Sequence, residues 1–205
     1  MKRLLSPLVA LTAGSAVILG THPALAHSTV TGGALSGLPH PLLGLDHLVM
    51  LMAVGTAGSF ISSQVLLWAL GGAVIGAAIG FTGFTIVSAE VLAALAISMM
   101  GALILYAGKV FKTSNGNATT ISGGIVAAAV SIHAMLHGLE APTESSTLLW
   151  WSGALLSSVL VCGGSYLLLK RLPVSVTKAA AVAFLAIGGL LAFGPLILLA
   201  GGAGT

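Results

Sequence analysis

The chain has 205 residues, of which 57% are hydrophobic and only 5% charged, with a formal net charge of +3. A water-clothed globule is excluded, because a soluble surface needs roughly a quarter of the chain charged. A nucleic-acid surface is excluded as well, since the basic residues form no stripe and no interleaved aromatics accompany them.

Lipid is therefore the expected solvent for most of the chain. Residues 1–26 begin with Lys2 and Arg3, continue through an apolar stretch near 8–19, and reach Ala24-Leu25-Ala26. This is the pattern of a cleavable signal peptide, and cleavage makes His27 the new N-terminus. The alternative is an uncleaved anchor helix, against which stand the short apolar core and Pro23. Residues 27–205 form one membrane domain in this reading.

Apolar runs follow at about 42–61, 65–84, 91–110, 121–139, 148–169 and 179–200, each near the roughly 20 residues that a helix needs to cross hydrocarbon. The expected fold is all-α: a polytopic membrane protein with six transmembrane helices. The second run carries Gly72, Gly76 and Gly80 on one helix face, a surface for close approach of a neighbouring helix. Cys162 lies alone in an apolar run and reads as a small packed hydrophobe. The first and fourth runs are informative, because their charge-free portions, 48–61 and 121–132, are too short to span alone. Asp46, His47, His133 and His137 are then expected within the membrane.

Beyond the signal, the basic residues are Lys109 and Lys112 after the third run and Lys170, Arg171 and Lys178 after the fifth. Threading six helices from an outside N-terminus places all of them inside, as the positive-inside rule requires. Asp46, Glu90, Glu140 and Glu144 fall on the opposite face. Both mature termini are then periplasmic and the location is the bacterial inner membrane.

The chemistry concentrates in two segments. In the first, Pro39 and Pro41 flank His40 and bar it from a regular helix interior, so an extended or re-entrant segment is expected to deliver it toward Asp46 and His47. Met50 is one turn below both, where its thioether reads either as apolar packing or as a lining for the path. In the second, His133, His137 and Glu140 at i, i+4 and i+7 share one helical stripe, with His133 roughly 10 Å deeper than Glu140. Glu90 opens the third run as an interfacial charge or a further ligand. An N-terminal His27 would offer an α-amine with an imidazole, and Glu144 reads as a solvated loop charge.

Any one intramembrane histidine can be a polar residue hydrogen-bonded between helices. Four of them with two carboxylates at one end are costly to bury unless they face a cavity or each other. Carboxylates offset the charge of a divalent cation while imidazole nitrogen supplies affinity. Nitrogen and oxygen donors without thiolate suit nickel, cobalt, zinc or ferrous iron, and ligand type does not choose among them.

The segments His40-Pro41-x-x-Gly44-x-Asp46-His47, followed by Val54-Gly55, and His133-x-x-x-His137-Gly138-x-Glu140-x-Pro142 closely resemble the two signatures of the HupE/UreJ proteins, which are hydrogenase- and urease-associated nickel permeases. The resemblance covers nearly the whole mature chain. It implies uptake of Ni²⁺ for hydrogenase or urease maturation, with His40, Asp46, His47, His133, His137 and Glu140 along the metal path. The chain departs from the pattern at Ile132, where an aromatic is common, and at Ala134 and Leu136; the donor types are unaltered.

The function expected is a secondary permease or channel with no prosthetic group and no enzymatic activity, whose partners are the metal ion and the lipid bilayer, with homo-oligomerisation left open. No phosphate-binding Gly-x-x-x-x-Gly-Lys-[Ser/Thr] segment occurs. The rival is an intramembrane zinc hydrolase, in which Glu140 or Asp46 would act as base with Ser131 nearby, although His-Glu-x-x-His is absent. A metal sensor or chaperone is the third reading, disfavoured by the short loops.

Overall fold

The computed structural model describes residues 33–113, 118–141 and 147–202, and every regular element among them is a helix. The expected signal peptide, His27, Pro142 and Glu144 lie outside the described residues. In chain order the helices are α1 (Ala34–Gly37), α2 (His40–Leu43), α3 (Leu45–Phe60), α4 (Gln64–Phe81), α5 (Ala89–Thr113), α6 (Ala118–Glu140), α7 (Thr147–Leu169) and α8 (Val174–Gly202).

Helices α4 to α8 are each long and apolar enough to cross a membrane, which makes the chain a multi-pass membrane protein. The first expected crossing differs. Helix α3 has 16 residues, about 24 Å of rise, short of the roughly 30 Å hydrocarbon core. A sixth span exists only as a bent pair, α1–α2 with α3, turned by 83°. The bend has a local cause. Pro41 supplies no backbone N–H, and Gly44 is extended at φ −80°, ψ 117°, so the helix restarts after it. His40 does not arrive on an extended segment: it opens the single turn of α2, with Pro39 as the N-cap residue.

Glycine sets how closely the other helices approach. A Cβ on Gly72, Gly76 or Gly80 would collide with the carbonyl oxygens of Ala127, Ser131 and Met135 respectively. These pairings advance together along both chains, so α4 and α6 run parallel in intimate backbone contact, as the glycine spacing predicts. Ser131 reinforces the seam, its hydroxyl donating to the Gly72 carbonyl at 2.9 Å. That commits the serine of the hydrolase reading to helix packing. Helices α5 and α8 are antiparallel, with Gly101 against Ala181 and Leu185, Gly188 against Ala94 and Ser98, and the Ser98 hydroxyl donating to the Leu185 carbonyl at 2.9 Å. Gly163 and Gly164, by contrast, face no neighbour within 4 Å.

Helices α3 and α7 are also parallel. Gly55 packs on the Cys162 carbonyl, and the Cys162 thiol donates to the Leu51 carbonyl at 3.3 Å. The thiol is therefore a packed group. Helices α3, α5 and α7 start at one end of the bundle, and α4, α6 and α8 finish there. Lys170 and Arg171 are exposed at the turn between α7 and α8, and Lys178 early in α8, at the other end. The core between the helices is built from Val49, Met50, Val54, Ile97, Met100 and Ile104 with many alanines.

Candidate metal centre

The start of α3 and the last turns of α6 meet at the end of the bundle opposite Lys170 and Arg171. Asp46 and His47 lie in the opening turn of α3. His133 and His137, four residues apart, project from the same face of α6, as the i, i+4 spacing predicts. His40 approaches from α2, across the bend.

Four imidazoles are gathered by these three elements. His40 Nε2 lies 3.0 Å from His137 Nδ1, and His47 Nε2 lies 3.1 Å from the same atom. The opposite nitrogen of His47, Nδ1, sits 2.8 Å from Asp46 Oδ1. That contact is close, yet it lacks hydrogen-bond alignment, and Nδ1 has no other partner. A Cβ on Gly44 would stand about 3.0 Å from His47 Nδ1 and 3.1 Å from Asp46 Oδ1. Glycine therefore both turns the chain here and leaves room for the Asp46–His47 pair.

His133 lies below. Its ring centroid is 4.6 Å from that of His47 and 5.4 Å from that of His137. It is only 6% exposed, and neither ring nitrogen has a hydrogen-bond partner. Leaving a buried polar group unsatisfied costs about 1–3 kcal/mol, so an imidazole with two such atoms calls for a ligand or another reason to be there.

The donors form two groups whose ligand atoms lie within 4.8 Å of one another: His40, His47 and His137, and Asp46, His47 and His133. Of the residues singled out in the sequence, these five are brought together. Glu140 closes α6 three residues beyond His137, and its side chain lies outside what the structure describes. Glu90 is exposed at the start of α5 and joins neither group. Met50, 2% exposed, is packed within the apolar core.

One residue at the site escapes the sequence reading. Trp150, 1% exposed, is among the largest fully buried side chains, and its ring centroid lies 4.8 Å from that of His40. The segment that carries His40 is seated on the same stretch of α7. A Cβ on Gly37 would strike the Trp150 carbonyl, and one on Gly153 would strike the Ala34 carbonyl. The only signal for this in the sequence is an aromatic pair, Trp150-Trp151, at the start of a span, where tryptophan is also common as a simple interfacial anchor.

The profile of the family described as HupE / UreJ protein matches residues 15–196, most of the chain and all of the donors. No curated protein and no solved structure matched. The match spans both donor segments and the six apolar helical units that position them, and on that basis the chain belongs to the HupE / UreJ family, membrane proteins of the permease type that act as metal-handling accessories to hydrogenase or urease.

Proposed function

We propose that this protein takes up a divalent transition-metal ion, Ni²⁺ before Co²⁺, Zn²⁺ or Fe²⁺, across the bacterial inner membrane through the His/Asp cluster. The observation that carries the reading is the buried, unpartnered imidazole of His133 directly beneath the His40, His47 and His137 group. A structural histidine would be hydrogen-bonded. A donor that waits for a cargo ion has its nitrogens free.

Each step has a physical basis in this chain's own residues. Asp46, with 39% of its side chain exposed, supplies a negative charge at the mouth and attracts the ion while it sheds water. Neutral imidazoles then replace the lost water without binding so tightly that the ion cannot leave. Glu140 is proposed as a further carboxylate at the entrance, and His27 as a capture group there once the signal peptide is cleaved after Ala26. Exposed Lys170, Arg171 and Lys178 at the far end favour a cytoplasmic location for that end, which makes the cluster end and both mature termini periplasmic.

Nitrogen and oxygen donors without thiolate suit Ni²⁺, Co²⁺, Zn²⁺ and Fe²⁺ alike, and the family's link to hydrogenase and urease nickel handling supports nickel among them. The proposed role is nickel supply to a hydrogenase or urease. The test is uptake by proteoliposomes that contain only this protein, with Ni²⁺ competed by Co²⁺, Zn²⁺ and Fe²⁺. Accumulation of Ni²⁺ that the other ions inhibit less than Ni²⁺ itself is expected; binding without accumulation would remove the permease reading.

A further inference from the structure

The two donor groups have one member in common, and it turns a different atom toward a member of each. His47 presents Nε2 toward His137, 3.1 Å away, and Nδ1 toward Asp46, 2.8 Å away. A neutral imidazole has one nitrogen lone pair and one N–H at any time, so it ligates one ion through one nitrogen. We infer that His40/His47/His137 and Asp46/His47/His133 are two successive sites that share His47 and cannot be filled together, so that one ion moves from the first to the second by changing nitrogens on a single ring.

Three features of the geometry carry this. The groups are stacked along α6, since His133 and His137 are four residues apart, about 6 Å of helical rise. The outer group is made of nitrogens already at close separation, whereas the inner one holds every buried imidazole nitrogen of the described residues that lacks a hydrogen-bond partner: His47 Nδ1 and both atoms of His133. Asp46 is placed to change role. While the ion is held at His47 Nε2, the proton is on Nδ1, 2.8 Å from Asp46 Oδ1, whose charge favours that tautomer. When the ion is held at Nδ1, the same carboxylate oxygen is a ligand.

The exchange balances. The metal–Nε2 bond breaks and a metal–Nδ1 bond forms, while one proton leaves Nδ1 and one arrives at Nε2, with water as the carrier. No net proton is taken up and no electron moves. His137 Nδ1, freed by the departing ion, can then accept a hydrogen bond from His47 Nε2–H at the observed 3.1 Å, which closes the first site behind the cargo. Mutual exclusion also answers a physical difficulty of transport. Two dications held a few ångströms apart repel strongly in a low-dielectric interior, and sharing a ligand prevents that state.

Sharing of His47 presupposes that the cluster binds metal, as proposed above, but it does not require that the ion be carried across. The experiment is Ni²⁺ titration of the full-length protein in nanodiscs, with bound metal counted by mass spectrometry after dialysis and imidazole ligands counted by X-ray absorption. The unmodified chain is expected to saturate at one ion. His133→Ala is expected to retain one ion with three imidazoles, and the double variant His40→Ala/His137→Ala one ion with two imidazoles and a carboxylate. His47→Ala should weaken binding about 100-fold or more, since both sites lose a ligand. Two ions per unmodified chain, loss of binding in both His133→Ala and the double variant, or equal imidazole counts in those two would overturn the shared-ligand arrangement. A chain that binds one ion but never accumulates it removes the permease reading and leaves the shared ligand in place. A chain that binds none removes both.

Discussion

His47 Nε2 and His137 Nδ1 stand 3.1 Å apart although 90 positions separate them in the chain. The contact joins the start of α3 to the end of α6 and makes His137 Nδ1 the point on which His40 and His47 both converge. Donors up to 97 positions apart in the chain thereby become one centre.

His137→Ala removes that point. Uptake of Ni²⁺ into proteoliposomes is expected to fall about 100-fold or more, with the amount of inserted protein unchanged. Uptake at the unmodified rate would show that the cation does not pass between α3 and α6.

Asp46→Asn keeps the shape and an oxygen beside His47 Nδ1 and removes the charge. Uptake is expected to drop at least about tenfold at limiting metal, with partial recovery at saturating Ni²⁺, because the lost attraction acts on capture. Measuring the initial rate against Ni²⁺ concentration separates capture from later steps. An unaltered concentration dependence would mean that the carboxylate is only a structural partner of His47.

Trp150 should act on the site through His40. Trp150→Ala opens a cavity beneath the α2 turn and is expected to cost about 3–5 kcal/mol and to reduce uptake. Trp150→Phe keeps an aromatic ring against His40 and removes an indole N–H that has no partner. It should therefore retain most of the uptake. Comparing the two in thermal unfolding and in transport distinguishes seating of His40 from bulk packing.

Gly76→Ala places a Cβ against the Ser131 backbone, where neither helix can yield cheaply. A loss of about 1–3 kcal/mol is expected from overpacking, together with an altered metal affinity, since α6 carries His133 and His137. Gly124→Ala faces open space and serves as the control, with unfolding in detergent unchanged or slightly improved. Equal melting temperatures for the two variants would contradict parallel packing of α4 on α6.

Much of this molecule is local in origin and hence legible in the sequence. Apolar runs of about 20 residues fix helices and solvent together, because a backbone in hydrocarbon must satisfy its own hydrogen bonds. The i, i+4 spacing of His133 and His137 fixes a shared face by helical geometry alone. Short charge-free stretches lead to the expectation that Asp46, His47, His133 and His137 lie within the membrane. Even the glycine seam on α4 is visible at Gly72, Gly76 and Gly80, since its period is that of the helix.

What the tertiary structure decided depends on which helix lies against which. Pro41 and Gly44 interrupt the helix locally, but where the bent segment rests, with His40 on a separate helical turn, depends on its seat on α7 at Gly37, Trp150 and Gly153. The role of Trp150 is invisible at sequence level because its partner lies 110 positions earlier. The one helical stripe expected for His133 and His137 is likewise divided between two donor groups, for the reason that His47 enters between them from another helix. Residue types and periodicity determined that a metal-donor cluster lies at one end of a membrane bundle. Long-range packing, which no local pattern encodes, decided that His47 turns one nitrogen to each side of it.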